Sequence, residues 1–374
     1  MLKLGIVGGG QLGKMLLQAA ADWNITCKIL DADLQAPCST LTNNFCVGSL
    51  QDFDTVYQFG KDCDILTIEI ENINTDALEK LEKEGKKVFP QPAVIRLIQD
   101  KRLQKQFYQD NHIPTAPFVL TNNKADLHNL IDFLPAVHKL GKDGYDGKGV
   151  QKIFSAQDIE KGFDAPSLLE KMVVFDKEIA IIVARNSKGE INSFPACEMV
   201  FHPEKNLVEY LFAPANLSEC ILAEADEIAK TVAQKLGIVG ILAVEMFVTK
   251  TGKVLVNEVA PRPHNSGHHT IEANSTSQYQ QHLRAILNLP LGDTSQKSYA
   301  AMLNVLGEEG YQGLAKYEGI EEILALSEVY LHLYGKNITK PFRKMGHITV
   351  LGKNTTEISN KIEKIKTTFK VISE

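Results

Sequence analysis

Residues 240–269 read GILAVEMFVTKTGKVLVNEVAPRPHNSGHH. Two apolar runs flank Thr251-Gly252, and a polar run without hydrophobic period follows. A two-residue hairpin loop between Lys250 and Lys253 sets Glu245 directly opposite Glu258. A three-residue loop would spoil that register. Like charges facing across a strand pair cost about 0.2–1 kcal/mol. In a cleft the repulsion is larger, and one pKa rises unless a cation sits between the two groups. Hard oxygen ligands so placed suit Mg²⁺ when phosphates complete its octahedron. The plainer alternative is a solvated hairpin rim carrying two independent glutamates. The metal reading requires a nucleotide site elsewhere in the chain.

The 374 residues suffice for two or three domains with sizeable cores, at 44% hydrophobic and 23% charged content. A net charge of −6 and a pI near 6.0 argue against a general nucleic-acid or membrane-surface binder. Any phosphate site must be a local basic pocket. The six cysteines (Cys27, Cys38, Cys46, Cys63, Cys197, Cys220) show no zinc or CxxC spacing, the pattern of reduced thiols in a cytoplasmic protein. No apolar run approaches membrane-spanning length and no signal peptide precedes the first strand.

The apolar strand over 2–7 runs into Gly8-Gly9-Gly10-Gln11-Leu12-Gly13, a helical stretch over 14–22, and a second strand over 26–30 ending at Asp31. This matches the dinucleotide fingerprint. Glycines are equally wanted there for a tight turn and helix packing when nothing binds. A strand over 65–68 ends in Glu69-Ile70-Glu71-Asn72, gathering acids at the sheet edge where open parallel sheets bind ligands. For Glu71 the alternative is a cap or a solvated loop. Pro90 and Pro92 mark a boundary near 90–100. The helix over 100–109 carries Lys101, Arg102 and Lys105, which on a lone helix would be solvated.

From Pro117 onward shorter strands are expected over 135–140, 150–154, 168–174 and 179–184. Between the first two lies GKDGYDGKG (141–149), four glycines in nine residues. It lacks the GxxxxGK[ST] order, but a glycine-rich hairpin can lie over phosphates and offer backbone N–H groups. Lys139 and Lys148 would add charge. Helices are expected over 223–236 and 277–287, and a small module over about 300–374 contains YGKNITKPFRKMGHI.

A glycine-rich hairpin with lysines, the hinge-like Glu170-Lys171-Met172-Val173 and the Glu245/Glu258 pair, in that order, resemble the ATP-grasp superfamily. Within it the strings GGGQLGKM, GYDGKG, NEVAPRPHNSGH and FRKMGH resemble the 5-(carboxyamino)imidazole ribonucleotide synthases across nearly the whole chain. The resemblance implies an α/β and α+β chain: a Rossmann-like pre-ATP-grasp domain (1–98) without dinucleotide, a lid subdomain (99–178), and a large subdomain (179–374) with a small C-terminal β-rich module. It implies ATP and Mg²⁺, with bicarbonate and 5-aminoimidazole ribonucleotide as partners, in a cytoplasmic homodimer that binds neither nucleic acid nor membrane. Lys101 (or, by a one-residue slip, Arg102) and Lys139 would contact ATP phosphates under a lid of Gly144, Tyr145, Asp146, Gly147, Lys148, Gly149 and Val150. Glu170, Lys171, Met172 and Val173 would border adenine, and Glu178 the ribose. Asn257 joins the nucleotide site, although strict alternation points it away from Glu258. Glu245 and Glu258 would carry the metal. Arg262, His264 and Asn265 would face bicarbonate and the aminoimidazole, and Lys336 and Arg343 the ribonucleotide phosphate. A histidine usual in the family near the ATP site would fall about Phe201, beside His202.

Bicarbonate is a poor electrophile that ATP converts to carboxyphosphate, so the protein's main task is electrostatic. A planar guanidinium suits Arg262 to this. His264 could relay a proton at an ordinary pKa near 6.5, or merely brace its loop. The rivals are an ATP-grasp ligase with another acceptor, a dinucleotide-dependent oxidoreductase using Gly8 to Gly13 with Asp31, and a nucleotide sensor without turnover.

Overall fold

A computed structural model describes residues 2–142, 144, 149–201 and 208–374. The chain begins with β1 (Lys3–Val7), β2 (Thr26–Asp31), β3 (Phe45–Val47), β4 (Ile65–Ile68) and β5 (Lys87–Val88). They pair in parallel in the order β3-β2-β1-β4-β5. Leu4, Ile6, Ile65, Leu66 and Ile68 are buried, the near-continuous apolar runs expected of strands covered on both faces. Helices α1 (Gln11–Ala21), α2 (Phe53–Lys61) and α3 (Thr75–Lys83) supply that cover. The strand order reverses between β1 and β4, so the loops after these two strands open a crevice at the carboxyl edge.

Two helices lead onward, α4 (Pro92–Ile98), with proline in its first turn, and α5 (Lys101–Asp110). Asp100 caps α5, its carboxylate accepting the Arg102 N–H at 3.0 Å. A four-stranded antiparallel sheet follows, built of β6 (Phe118–Thr121), β7 (Ala136–Leu140), β8 (Val150–Ile153) and β9 (Ser167–Lys171) in the order β6-β9-β7-β8. The strand expected over 168–174 stops at Lys171. The Met172 N–H turns to Pro135 O at 3.2 Å, and Val174 lies exposed.

The remaining strands are β10 (Phe175–Arg185), β11 (Ile191–Ser193), β12 (Cys197–Phe201), β13 (Val208–Ala213), β14 (Gly240–Thr249), β15 (Val254–Ala260), β16 (Tyr299–Leu306), β17 (Gly313–Glu318), β18 (Val329–Leu333), β19 (Ile338–Thr339), β20 (Lys344–Gly352) and β21 (Lys370–Ser373). One large sheet runs β15-β14-β10-β12-β13-β16-β20-β18, with β11 on β10. The segment beyond residue 300 therefore continues the central sheet; only β17, β19 and β21 form a separate small one. Helix α6 (Glu219–Leu236) lays Ala225, Ala229 and Val232 against Leu242, Val244 and Met246. Helices α7 (Thr270–Ala273) and α8 (Gln278–Ile286) follow β15, and α9 (Ile320–Leu324) and α10 (Thr355–Thr368) cover the C-terminal strands. Buried His282 on α8 ties this body to β4 through Thr67 Oγ1, 2.8 Å from its Nε2.

The β14–β15 hairpin corrects the expected loop. Val248 pairs with Val254, Phe247 with Leu255 and Met246 with Val256. The connection is thus three residues, Lys250-Thr251-Gly252, closed by Thr249 N–H on Lys253 O at 2.9 Å. Gly252 takes a φ of +81° there, a conformation glycine adopts without Cβ strain. That register alone would set Asn257 opposite Glu245. A bulge after Val256 inserts one residue, so that Glu245 pairs with Glu258 after all. The apolar positions record it: Val254, Val256 and then Val259 face the core.

Candidate active site

Glu245 and Glu258 occupy the face of the large sheet opposite α6. Glu178 on β10 shares that face, because Ala180 pairs with Glu245 and Glu178 with Phe247. Lys101 enters the pair from the first turn of α5 and its Nζ contacts Glu258 Oε2. A cation at a helix N-terminus opposes the macrodipole by about 0.3–1 kcal/mol, so its place there needs an anionic neighbour. Lys101 holds the Glu258 carboxyl down at about 2, against burial that would raise it. Glu245 lies on the losing side: burial, then Glu258 and Glu178, push its carboxyl well above the usual range. Burial, then Glu258, raises Glu178 to about 7. Arg102 is turned outward, with its guanidinium on Asp100 at 2.6 and 3.0 Å, so of the two adjacent cations Lys101 faces the acids.

The small sheet closes over this face. Lys139 on β7 reaches Asn257 Oδ1 at 3.0 Å and Glu170 Oε1 at 3.2 Å. The bulge explains Asn257, which faces the site beside Glu258 where plain alternation would have turned it away. Glu170 on β9 is buried between Lys139 and Lys105, whose Nζ lies 2.7 Å from Glu170 Oε2. Burial would raise the Glu170 carboxyl, but the two lysines outweigh it and hold it below the usual range. Lys171 points elsewhere, to the carbonyls of Phe133 and Leu134 at 3.0 and 3.2 Å. Gly144, Gly149 and Val150 border the β7–β8 hairpin, with Val150 paired to Lys139. Tyr145, Asp146, Gly147 and Lys148 lie outside the described residues, as does His202; Phe201 ends β12.

A second patch adjoins the acids. Arg262 Nε stands 2.9 Å from Glu71 Oε1, so Glu71 is a partner across the crevice, neither a cap nor a solvated loop residue. His264 Nδ1 lies 2.9 Å from Ser266 Oγ and 3.3 Å from the Ser266 N, and its Nε2 faces Glu245 Oε1 at 3.4 Å. Burial, then Arg262 and Lys344, push this imidazole down to about 3. The ordinary histidine pKa expected for His264 is thus shifted down by its surroundings, and its ring faces Glu245. Asn265 exchanges amide hydrogen bonds with Asn304 at 2.8 and 3.2 Å. Lys336 donates to Lys344 O at 2.8 Å and Arg343 to Ile338 O at 2.6 Å. Lys344, Lys105 and Thr115 were not singled out from the sequence as site residues. For Lys105 the signal was present, since Lys101 and Lys105 are four apart and share one helix face.

The dinucleotide fingerprint is filled by the chain itself. Glu69 accepts the Gly13 N–H at 2.9 Å and Asp31 the Gly9 N–H at 2.6 Å. A Cβ on Gly10 would lie 2.3 Å from Glu69 Oε1, and Gly8 turns at a φ of +104°. The anion-binding start of α1 thus holds a carboxylate of the protein where a pyrophosphate would sit. Burial raises the Glu69 carboxyl to about 7, while Gly13, Arg262 and Lys336 draw it down.

Three family models divide the chain: a ribonucleotide synthetase preATP-grasp domain over 1–99, an ATP-grasp domain over 106–279 and a phosphoribosylaminoimidazole carboxylase C-terminal domain over 300–361. N5-carboxyaminoimidazole ribonucleotide synthase of Bacillus subtilis is 37% identical over 93% of this chain and 91% of that protein. The chain belongs to the N5-carboxyaminoimidazole ribonucleotide synthase family. Members of this family are ATP-grasp ligases of purine biosynthesis, and the chain is an ATP-dependent carboxylating enzyme of that kind. The crystal structure of the Thermotoga maritima N5-carboxyaminoimidazole ribonucleotide synthetase matches at a TM-score of 0.93 and 41% identity over all of both chains. The Aspergillus clavatus synthase in complex with ADP and 5-aminoimidazole ribonucleotide matches at 0.89 and 33%, over 98% of each chain. Phosphoribosylaminoimidazole carboxylase of Vigna aconitifolia, a chloroplastic protein, is 39% identical over 96% of this chain, which spans 66% of that longer relative. Among the described residues no helix is long and apolar enough to cross a membrane.

Proposed function

We propose that the chain uses ATP to carboxylate 5-aminoimidazole ribonucleotide with bicarbonate, through carboxyphosphate, giving N5-carboxyaminoimidazole ribonucleotide, ADP and phosphate. The observation that carries this reading is the junction of two unlike patches at Glu245. On one side three lysines meet four acids (Lys101, Lys105 and Lys139 with Glu170, Glu178, Glu245 and Glu258). On the other stand Arg262, His264 and Lys344. The first set lacks positive charge, and its opposed carboxylates fit a hard divalent cation. Glu245 and Glu258 would hold Mg²⁺, which when bound screens the charge of the phosphates.

Lys101 and Lys139 would take the phosphates in a subdomain over 99–178, with Gly144, Gly149 and Val150 of the expected lid beside them; its residues 145–148 lie outside the described residues. The segment Glu170 to Val173 would border adenine and Glu178 the ribose hydroxyls. Arg262, braced by Glu71, presents a planar fork to bicarbonate or its phosphorylated form. His264 would direct Nε2–H toward Glu245 and steady that carboxylate's orientation, and Asn265 would face the aminoimidazole. Lys336 and Arg343 would bind the ribonucleotide phosphate. Excluding water prolongs the life of carboxyphosphate. The reading includes a cytoplasmic homodimer; six free cysteines suit a reducing compartment, and the dimer follows from the family likeness. The test is ATP hydrolysis in the presence of bicarbonate and 5-aminoimidazole ribonucleotide, separately and together. Turnover that needs both supports the assignment; faster turnover with another acceptor refutes the substrate while leaving the nucleotide site standing.

A further inference from the structure

Lys105 occupies an unusual place for a lysine. It is 3% exposed, on the same face of α5 as Lys101 but one turn deeper, and its ammonium ends against Glu170 Oε2 at 2.7 Å and Thr115 Oγ1 at 2.5 Å. Thr115 in turn donates to Val256 O at 2.7 Å, at the lip of the β15 bulge. The ring of Tyr108 closes the remaining side, its centroid 5.7 Å from Nζ. Glu170, also 3% exposed, lies between Lys105 and the site, and its other oxygen faces Lys139. A ligand entering over Glu258 would meet Lys139 and Lys101 and not reach Lys105.

One buried carboxylate therefore serves two lysines on separate elements, one sealed behind it and one facing the cleft. A buried carboxylate with a single counter-ion holds it tightly, because separating the two leaves an unpaired charge away from water. With a second cation at its back, the first is released from that duty. We propose that Lys105 is a positioning residue that neutralises Glu170 from behind and so leaves Lys139 free to move from Glu170 and Asn257 onto a nucleotide phosphate. The inference rests on the reading of Lys139 as a phosphate contact. Lys105 itself touches no substrate. Burial lowers its ammonium to about 8 while Glu170 supports the charged form, which is the balance expected of a lysine retained for one carboxylate.

The test compares the full-length wild type with Lys105→Met, Glu170→Gln, the double variant Lys105→Met/Glu170→Gln, and Lys139→Met. ATP KM and ribonucleotide KM are measured for each. Lys105→Met is expected to raise the ATP KM about tenfold and leave the ribonucleotide KM within about twofold. Once the carboxylate is gone Lys105 has nothing to neutralise, so Glu170→Gln and the double variant should share one ATP KM within about twofold. The proposal is overturned if Lys105→Met costs the same factor in both backgrounds, or if it leaves the ATP KM unchanged. Should Lys105→Met alone not fold, Lys105→Gln, which removes the charge and keeps a polar end for Thr115, takes its place in both backgrounds and is read by the same criteria. An unchanged ATP KM in Lys139→Met overturns the phosphate reading and this inference with it. A raised one, with Lys105 silent, overturns the positioning role alone.

Discussion

Glu245 and Glu258 stand opposite each other because two irregularities cancel: a three-residue turn shifts the pairing of β14 and β15 by one residue, and the bulge at Asn257 shifts it back. The same bulge turns Asn257 toward Lys139. A plain hairpin could have opposed the glutamates, but it would have sent the asparagine to the core side. The irregularity gives the site one more polar group than alternation allows.

If the opposed carboxylates are there to hold a divalent ion, amides at either position should separate activity from stability. Glu258→Gln and Glu245→Gln are each expected to lower kcat/KM at least ~100-fold at ordinary Mg²⁺. Glu245→Gln should at the same time stabilise the unliganded protein by about 1 kcal/mol, since it removes a carboxyl that the folded state must keep protonated or ionise beside Glu258. The sign follows from the raised carboxyl of Glu245: the wild type gains stability at low pH and loses it as pH rises through the folded pKa, and the amide abolishes that slope. Steady-state rates across Mg²⁺ concentrations and melting curves without nucleotide report both. Near-normal turnover at saturating Mg²⁺ would remove the metal from these residues.

The occupied glycine loop makes a prediction about what does not bind. NADH titrated into the protein should give no saturable micromolar signal, because Glu69 and Asp31 already hold the N–H groups of Gly13 and Gly9. Gly10→Ala would put its Cβ 2.3 Å from Glu69 Oε1. The displaced carboxylate should cost about 1–3 kcal/mol of stability and, through Arg262, raise the ribonucleotide KM. Tight NADH binding by the wild type would restore the oxidoreductase reading.

Acid should unfold the protein early. His138 and His269 are lowered to about 4, His264 and His282 to about 3, and His268 and His347 well below their ordinary value, burial being the largest cause for each. Unfolding exposes imidazoles that titrate near 6.5. Stability is therefore full above that pH and falls as pH drops below it, each histidine adding a slope of about 1.4 kcal/mol per pH unit until its folded pKa is reached. Denaturant midpoints at pH 7.5, 6.5 and 5.5 would show it, and His282→Gln, which keeps a partner for Thr67, should flatten the slope by one proton. A midpoint unchanged down to pH 5.5 would contradict the burial of these rings.

Much of the fold was legible because the strands of the parallel sheet are continuous apolar runs and its helices carry one apolar face each. The 65–68 strand matches β4 residue for residue. Short β3 (Phe45–Val47) is an apolar run of only three residues, too brief to show a period, and was not foreseen. At the site, the glutamate pair was readable from spacing, but the loop that sets it was not, because the compensating bulge leaves the sum of two shifts unchanged. Its trace in the sequence was Val254-Val256-Val259, a step of two followed by a step of three. Contacts between distant segments, such as Arg262 with Glu71 or Lys105 with Glu170, depend on how sheets dock and have no local signature.

If Lys336 and Arg343 hold the ribonucleotide phosphate, as proposed, the segment beyond residue 300 should be separable from the nucleotide end. Lys336 is near enough to Glu69 to lower its carboxyl and is anchored to Lys344 O. Lys14 on α1 ties to the same C-terminal segment by donating to Leu333 O at 2.9 Å. Arg343 reaches Ile338 O nearer the surface and is free to rotate onto a phosphate with less reorganisation. Lys336→Ala should therefore raise the ribonucleotide KM about tenfold and Arg343→Ala several-fold, each leaving the ATP KM within about twofold. Truncating Lys336 also removes a cation that draws the Glu69 carboxyl down, so that carboxyl moves further up and the loss should change as pH rises above about 7. The Arg343→Ala effect should stay flat over the same range. Equal effects of either change on both Michaelis constants would detach this segment from the ribonucleotide.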